Sequence, residues 1–366
     1  MITDIKGLHH VTSMAGNAQI NNDFFTQTLG LRRVKKTVNF DEPSVYHLYY
    51  GDAAGTPGSV MTYFPFPNMP KGRAGTGEVS TSGFAIPEGS MGYWKERLSA
   101  GGVAGLRDGT SFGAATLGFQ GPDGEAFSLV EAVGDTRPGW TGNTVSADNA
   151  IRGFHSASMR LRDAGATAEL LAYMGYSAIN TDGAVTRYAI EGGNAANVID
   201  LETLPDVDHA EQGAGSVHHI AFAVEDRDKQ LVVRRALLDT GYQVTPVIDR
   251  DYFWAIYFRS PGGVLFEIAT NEPGFDRDED TAHLGEALKL PTQHERYRDR
   301  IEQILTPITD WAATGRNMTC IYVEKGAPAG APVFFTFHGT GGDEAQFHAF
   351  AAQTRPDPPR TAQMRG

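Results

Sequence analysis

Four segments of the chain open with a similar short, strand-like pattern, and they recur 64 to 73 residues apart. Such an internal repeat predicts one supersecondary unit per copy. Each copy continues with a stretch of helical periodicity and closes with a turn of small residues before a second apolar run. We therefore predict an α+β fold of four βαβββ modules, arranged as two double-module domains. The opening segments are LHHVTSMAG from Leu8, TSGFAIPEG from Thr81, GFHSASMRL from Gly153 and VHHIAFAVE from Val217.

The segments between the modules predict the domain boundaries. Residues 137–150 are rich in glycine and polar residues and predict a linker between an N-terminal domain, 1–136, and a C-terminal domain, 151–275. Residues 276–310 follow the last module as a capping segment, and residues 311–366 form a separate tail. Within the fourth module, Gln243 to Ile248 and Tyr252 to Arg259 predict the second and third strands.

Charge and cysteine content argue against nucleic-acid binding, disulfide bonds and cysteine-based metal sites. The formal charge of -13 over 366 residues, without a basic run, disfavours nucleic acid. Cys320 is the only cysteine, which rules out an intrachain disulfide and a cysteine-based zinc site and favours a cytoplasmic location. We find no apolar run long enough to span a membrane and no signal pattern at the first residues. The oligomeric state stays open, and a homo-oligomer is compatible with the sequence.

One charged residue stands inside the apolar closing strand of the fourth module. Glu267 lies in the run from Val264 to Ile268, where an ionised carboxylate costs several kcal/mol unless it is paired or binds a metal. His219 lies on the opening strand of the same module, and His10 takes its place in the first module. Two imidazoles and one carboxylate are the ligands of a facial triad on ferrous iron. A salt bridge to Arg250 or Arg259 is the alternative.

Two further sets of residues compete with this interpretation. The third module carries His155 and Asp200, which could form half of a second metal site. Alignment of the closing strands places Tyr63 near the position of Glu267, where it would either line the cleft or pack in the core. The acidic run DRDED at 276–280 lacks the glycine and the distal glutamate of an EF-hand, so we predict a solvated loop there.

Six stretches of the chain together resemble one family. They lie within residues 5–307 and resemble the vicinal oxygen chelate superfamily, whose fold is the glyoxalase/bleomycin resistance/extradiol dioxygenase fold. Within it, the chain is most similar to dioxygenases that cleave the ring of hydroquinones, including chlorohydroquinone dioxygenases. The stretches are GLHHVT, YHLYYGDAAGTPGSVMTYFPF, RGFHS, SVHHIAFAV, YFRSPGGVLFEIAT and the PGF, DED and LGEALKLP run.

The resemblance implies an Fe(II) centre, with Mn(II) as a second choice, held by His10, His219 and Glu267. The expected partners are a small aromatic substrate and O₂, and the expected reaction is O₂-dependent cleavage of a dihydroxylated ring. Tyr257 would bond the substrate oxygen, although a rim aromatic is the alternative role. The resemblance places four more residues around the centre, namely His9, Thr12, His218 and Arg250.

Two other functions fit the same fold. A glyoxalase-type isomerase or lyase would use nickel or zinc and a second carboxylate ligand. A metal-free small-molecule binding protein would leave the two histidine pairs and Glu267 without a role.

The tail resembles a different family. From Cys320 it reads CIYVEKGAPAGAPVFFTFHGTGG, similar to the opening of an α/β-hydrolase of the phospholipase/carboxylesterase kind, with a predicted strand at Val333 to Phe337. No G-x-S-x-G nucleophile elbow follows, so we expect no esterase activity from this incomplete segment.

Overall fold

The computed structural model describes residues 1–142 and 144–310, and three strands of the tail at 321–325, 333–337 and 360–365. By their contacts the residues form two compact units, Met1–Ile308 and Thr309–Gly366. None of the helices described in these ranges is both long and apolar enough to cross a membrane.

The first unit contains the four predicted βαβββ modules in order. The first comprises β1 (Leu8–Ala15), α1 (Ala18–Asp23) followed by a π-helical turn (Phe24–Thr28), β2 (Arg32–Val38), β3 (Tyr46–Gly51) and β4 (Val60–Pro65). The second comprises β5 (Glu78–Ile86), α2 (Met91–Ala100), β6 (Arg107–Ser111), β7 (Ala114–Gln120) and β8 (Ala126–Glu131). The third comprises β9 (Phe154–Leu161), α3 (Gly165–Tyr173), β10 (Ser177–Asp182), β11 (Val185–Ala189) and β12 (Val198–Thr203). The fourth comprises β13 (Val217–Val224), α4 (Arg227–Asp239), β14 (Ile248–Asp249), β15 (Phe253–Arg259) and β16 (Leu265–Pro273).

The modules pair into two eight-stranded sheets, which confirms the predicted fold class. The first sheet has the order β14-β15-β16-β13-β1-β4-β3-β2 and joins the first module to the fourth. The second has the order β10-β11-β12-β9-β5-β8-β7-β6 and joins the second module to the third. Each sheet thus takes one module from each of the predicted ranges 1–136 and 151–275. The segment 137–150 connects two modules of one sheet and not two sheets.

The centre of each sheet is an antiparallel pair of opening strands, β1 with β13 and β5 with β9. All eight residues of β1 are buried, so this strand is covered on both faces. The second strand of the fourth module covers only Ile248–Asp249, so the prediction that it begins at Gln243 was wrong. Pro246 lies in that stretch and has no backbone N–H to donate to a neighbouring strand.

The capping segment 276–310 covers β2, the edge strand of the first sheet. Its regular elements are three short 3₁₀ turns (Phe275–Arg277, Thr281–His283 and Glu295–Tyr297) and α5 (Arg298–Ile304). Lys289 donates its backbone N–H to the carbonyl of Lys36 at 2.9 Å, and the Arg33 Nε donates to the carbonyl of Gly285 at 2.9 Å. An edge strand covered in this way cannot pair with another chain.

The acidic run at 276–280 is only in part the solvated loop we predicted. Asp276, Asp278 and Asp280 are exposed. Asp278 and the partly buried Glu279 nevertheless accept hydrogen bonds from the ammonium of Lys35, which is fully buried, at 2.6 and 2.5 Å. A buried lysine requires such partners, because an unpaired ammonium would be expensive to remove from water.

The second unit has three described strands, β17 (Ile321–Lys325), β18 (Val333–Phe337) and β19 (Arg360–Arg365), in the order β17-β19-β18. The strand predicted at Val333 to Phe337 is confirmed. The HGTGG motif at 338–342 lies outside the described residues.

Candidate metal centre

Three predicted ligands converge in the first sheet. The His219 Nε2 lies 2.8 Å from the Glu267 Oε2, and the His10 Nε2 lies 3.3 Å from the same oxygen. The two Nε2 atoms are 3.3 Å apart. All three side chains are buried, with at most 4% of any residue exposed. The cluster is thus enclosed by protein while its donor atoms face one another.

Strand register explains this convergence. In the antiparallel pair β1–β13, His10 lies opposite Ala221, and in the parallel pair β13–β16, Ala221 lies beside Glu267. His219 precedes Ala221 by two residues. Since side chains alternate between the two faces of a sheet with period two, all three ligands project from the same face.

The cluster passes a direct test of fit to a metal ion. Although the Glu267 oxygens lie close to the imidazoles, neither makes a well-directed hydrogen bond to a described residue, which is rare for a buried carboxylate. Donor atoms about 3 Å apart are spaced like neighbouring ligands with bonds of roughly 2.1 Å to one ion. Among the described residues, these three form the one group of histidine, cysteine and acidic side chains close enough to hold a metal.

The alternative salt bridge to arginine does not form. Arg250 directs its Nε to the Tyr257 hydroxyl at 3.3 Å and lies 3.8 Å from Asp41. Arg259 donates to the carbonyl of Gly263 at 2.9 Å. The carboxylate of Glu267 is therefore left to the two imidazoles. Burial opposes its ionisation, but the neighbouring His10 and His219 outweigh that effect and hold the pKa of Glu267 well below its usual range.

The preceding histidines orient the two ligand rings. The carbonyl of Thr270 accepts from the His9 Nε2 at 3.0 Å, so the His9 Nδ1 must accept from the His10 Nδ1 at 2.9 Å. The His10 Nε2 then carries a lone pair towards Glu267, as a metal ligand requires. His218 supports His219 by the same contact between Nδ1 atoms, at 2.7 Å.

Burial keeps both supporting histidines neutral. Together with repulsion from His10, it lowers the pKa of His9 to about 3, and with repulsion from His219 it lowers the pKa of His218 to about 4. Their nitrogens therefore hold fixed donor and acceptor roles at neutral pH, and the ligand rings cannot turn without breaking a buried hydrogen bond.

A cavity of about 590 Å³ opens beside the cluster. Five residues were predicted to surround the three ligands, and four of them line this cavity, namely Thr12, His218, Arg250 and Tyr257. Six phenylalanine and tyrosine side chains line it, and the ring centroid of one of them, Phe253, lies 5.0 Å from that of His10. His9 does not line this cavity but borders a separate one of about 220 Å³, so it reaches the centre only through His10.

Tyr257 lines the cavity beside the metal cluster. It lies opposite Glu267 in the β15–β16 pair, and its ring is 5.7 Å from that of His219. Arg250 lies over the Tyr257 ring at 5.5 Å and over Phe40 at 5.2 Å. Burial, together with the negative charge of Glu267, raises the pKa of Tyr257 well above its usual value. The phenol therefore keeps its proton.

Tyr63 takes one of its two predicted roles, packing in the core, and sequence reasoning missed three other residues near the cluster. Tyr63 points to the opposite face of β4, where its hydroxyl donates to the buried Glu125 at 2.9 Å, so it packs in the core. Its neighbour Thr62 faces the ligand side of the sheet, with His47 and Tyr49 on the adjacent strand β3. A strand register would have identified them, but the sequence alone does not give the register.

The competing pair in the third module does not form a site. The Arg187 guanidinium binds both Asp200 oxygens at 2.8 Å, and it stacks on Phe112 at 4.1 Å. A bidentate ion pair occupies the carboxylate that a metal would need. Burial, with repulsion from Arg187, lowers the pKa of His155 to about 4, so its ring is neutral.

Comparisons with known proteins agree with this geometry. Residues 146–268 match the family model described as the Glyoxalase/Bleomycin resistance protein/Dioxygenase superfamily. A Bacillus subtilis protein named "Putative ring-cleaving dioxygenase MhqO" is 42% identical over 308 residues, which are 84% of this chain and 98% of the relative. The "Chlorohydroquinone/hydroquinone 1,2-dioxygenase" of Sphingobium indicum is 36% identical over 81% of this chain and 95% of its own length.

Solved structures show the same relationship. A "putative dioxygenase" from Bacillus subtilis superimposes with a TM-score of 0.81 at 41% identity, over 84% of this chain and 98% of that one. Glyoxalase I from Zea mays shares the fold, with a TM-score of 0.54 at 14% identity over 73% of this chain and 92% of its own. The hydrolase likeness of the tail gains no support from these comparisons. The chain belongs to the Glyoxalase/Bleomycin resistance protein/Dioxygenase superfamily, in which it groups with proteins named as ring-cleaving dioxygenases.

Proposed function

We propose that the protein is a dioxygenase that uses Fe(II) and O₂ to cleave the ring of a hydroquinone-type aromatic. The observation that carries the proposal is the buried cluster of His10, His219 and Glu267 beside a cavity that six phenylalanine and tyrosine side chains line. Two imidazoles and one carboxylate are the donor set of non-haem Fe(II) oxygenases, which leaves positions open for small molecules. The name of the Sphingobium relative supports the choice of hydroquinone.

The metal, when bound, would supply a Lewis acid with open positions at which a substrate oxygen and O₂ meet. The protein side chains supply the rest of the chemistry. A guanidinium has only donors, so the Arg250 Nε donates to the Tyr257 oxygen, and the phenol retains its own proton for a substrate oxygen in the cavity. Phe253 and the other aromatic walls exclude water from the reacting ring.

His218 is the second hydrogen-bond donor in this proposal. If the His219 Nε2 lone pair faces the centre, its Nδ1–H donates to the His218 Nδ1, and the remaining proton of His218 lies on Nε2. His218 lines the cavity, so this proton would meet a bound substrate. Thr12 offers a hydroxyl to the cavity, and His9 acts only by orienting the ring of His10.

The two other candidate functions fit less well. A glyoxalase-type isomerase uses a second carboxylate ligand, and the position on β4 that faces the cluster is Thr62, a neutral hydroxyl. A metal-free binding protein would bury the Glu267 carboxylate without a directed hydrogen bond, at a cost of several kcal/mol.

The test is anaerobic reconstitution with Fe(II), Mn(II), Ni(II) or Zn(II) in parallel, followed by O₂ uptake against hydroquinones and catechols. We expect the Fe(II) form to take up O₂ with hydroquinones. The forms with the other metals should take up O₂ more slowly or not at all. Metal-dependent isomerisation of a glutathione hemithioacetal by the Ni(II) or Zn(II) form, without O₂ uptake by any form, would replace the proposal with the glyoxalase-type function.

A further inference from the structure

The first and fourth modules lie side by side in one sheet and have the same order of elements, so each residue of the metal cluster has a counterpart in the other module. In β1–β4, Thr12 lies beside Thr62, and in β13–β16, Ala221 lies beside Glu267. The two ligand histidines correspond, and both Thr12 and Ala221 follow their histidine by two residues. Thr62 therefore occupies the position in the first module that Glu267 occupies in the fourth.

The correspondence extends to the next strand. Tyr49 lies opposite Thr62 in β3–β4, as Tyr257 lies opposite Glu267 in β15–β16. The fourth module thus presents a carboxylate with a tyrosine beside it, and the first presents a hydroxyl with a tyrosine beside it. A threonine side chain is short and neutral, so it does not take the place of a fourth ligand, and the centre is left open on this side.

A continuous hydrogen-bond chain replaces the carboxylate. The Thr12 Oγ1 lies 3.0 Å from the Thr62 Oγ1, which lies 2.9 Å from the His47 Nε2, and the His47 Nδ1 lies 2.9 Å from the Tyr49 hydroxyl. Thr12, His47 and Tyr49 border the cavity, whereas Thr62 is buried behind its wall. The chain therefore connects two points of the same cavity wall through one buried hydroxyl.

The chain can run in either direction. Each hydroxyl both donates and accepts, and a neutral imidazole donates from one nitrogen and accepts at the other. Burial, with repulsion from the ligand histidines, keeps the pKa of His47 well below its usual value, so the ring carries one N–H at neutral pH. Thr12 can consequently present either a donor or an acceptor to the cavity, and reversing the chain changes no charge.

We infer that the chain Tyr49–His47–Thr62–Thr12 positions a substrate oxygen on the open side of the metal centre. This inference rests on the proposed function. Thr12 makes the contact, while Thr62, His47 and Tyr49 are positioning residues that hold its hydroxyl in place in either direction of the chain. A chain of either polarity suits a hydroquinone, whose oxygen is a donor as a hydroxyl and an acceptor after it loses a proton.

The experiment measures anaerobic binding of unsubstituted hydroquinone to the Fe(II)-loaded full-length protein. Thr62→Val keeps the shape of the side chain and breaks the chain. We expect hydroquinone binding to weaken about 3- to 10-fold, as the loss of one neutral hydrogen bond predicts, while Fe(II) affinity stays within about twofold. Thr62→Ser restores the hydroxyl and should restore binding. Tyr63→Phe, on the opposite face of the same strand, is the matched control and should bind hydroquinone as the parent does.

The outcomes separate the two proposals. If the parent protein binds and cleaves hydroquinone and Thr62→Val binds it equally well, the inference is wrong and the proposed function stands. If Thr62→Val loses Fe(II) affinity in parallel with hydroquinone affinity, the chain is only structural. If the parent neither binds nor cleaves any hydroquinone, the proposed function itself falls. Should Thr62→Val not fold, His47→Asn breaks the chain at the next link and is held to the same two criteria.

A second variant tests the assignment of the counterparts without measuring turnover. Thr62→Glu places a carboxylate at the position that mirrors Glu267, and Thr12→Ala in the same chain reproduces the neighbour that Glu267 has in Ala221. We expect this double variant to bind Zn(II) at least about 10-fold more tightly than Thr12→Ala alone, because a fourth ligand is added. Equal Zn(II) affinity in two folded proteins would show that Thr62 does not face the centre.

Discussion

Replacing Tyr257 by phenylalanine separates a role in catalysis from a role in packing. The change removes one oxygen atom and leaves the ring, which contacts His219, in place. The three ligand side chains keep their strands and their supporting histidines, so the variant should retain its iron. Arg250 loses one hydrogen-bond partner at 3.3 Å but keeps its contacts with Phe40 and Asp41.

The size of the effect follows from the state of the phenol. Because burial and the charge of Glu267 raise its pKa, Tyr257 is a donor throughout the working pH range. A neutral hydrogen bond contributes roughly 0.5 to 1.5 kcal/mol and a charge-assisted one about 1.5 to 3 kcal/mol. If the bond tightens as charge develops on the substrate oxygen, kcat should fall by about 3- to 150-fold with little change in KM.

Steady-state O₂ uptake with a preferred hydroquinone, together with iron analysis, measures this effect. Tyr176→Phe is the matched control, because that phenol is buried, lies outside the cavity and has no hydrogen-bond partner among the described residues. The control should keep parental kcat and KM. Unchanged kcat and KM in Tyr257→Phe would remove Tyr257 from the catalytic residues, and loss of iron would mean that the phenol helps to hold the metal.

Four further predictions follow from the described contacts. Alanine at any one of the three ligand positions should abolish iron binding and turnover together, whereas alanine at His155 or Asp200 should leave iron content unchanged by metal analysis; iron retained by the first set would misplace the centre. Lys35→Met should lower the free energy of unfolding, measured by urea denaturation, by about 3 to 5 kcal/mol, because it leaves the buried Glu279 carboxylate without its cation. Adding Glu279→Gln should recover part of the loss, and a drop under about 1 kcal/mol would contradict the buried ion pair. Deleting residues 321–366 should leave O₂ uptake intact, since every proposed site residue lies in the first unit. Finally, the pKa of His155 is about 4 in the folded protein and 6.5 in an unstructured peptide. As the pH drops from 6.5 towards 4, the unfolded state therefore binds a proton that the folded state does not, and the free energy of unfolding should fall. His155→Asn should make this pH dependence shallower in urea titrations at several pH values.

The three ligands could be predicted from the sequence because two kinds of signal coincided. The repeat placed His10 and His219 at equivalent positions, and Glu267 was a charge in an apolar strand. Neither signal depends on which strands pair. The βαβββ order likewise follows from periodicity and turn residues, which are local properties.

The features that sequence reasoning missed depend on register or on distant contacts. A shift of one residue in the alignment of β4 exchanged Thr62 for Tyr63, and neighbouring residues of a strand face opposite sides of a sheet. Asp200 appeared free because its partner Arg187 lies on an adjacent strand. Glu279 appeared solvated because Lys35 is 244 residues away in the sequence.

The sequence predicted that residues of the first and fourth modules meet at one centre, but it did not predict that these two modules share one sheet. Any two opening strands could pair as antiparallel neighbours, and all four have similar composition. The choice of the first with the fourth depends on how complete modules pack, which the periodicity of a single strand does not encode.

Cleavage in the presence of isotopically labelled O₂ tests the central claim most directly. The Fe(II)-loaded protein is mixed with hydroquinone and labelled O₂, and the product is analysed by mass spectrometry. If the cluster of His10, His219 and Glu267 is a ring-cleaving centre, the product is an open-chain acid that contains both labelled atoms, and one O₂ is consumed per ring. Formation of benzoquinone without labelled oxygen would show that the protein oxidises the ring and does not cleave it, and would contradict the proposed function.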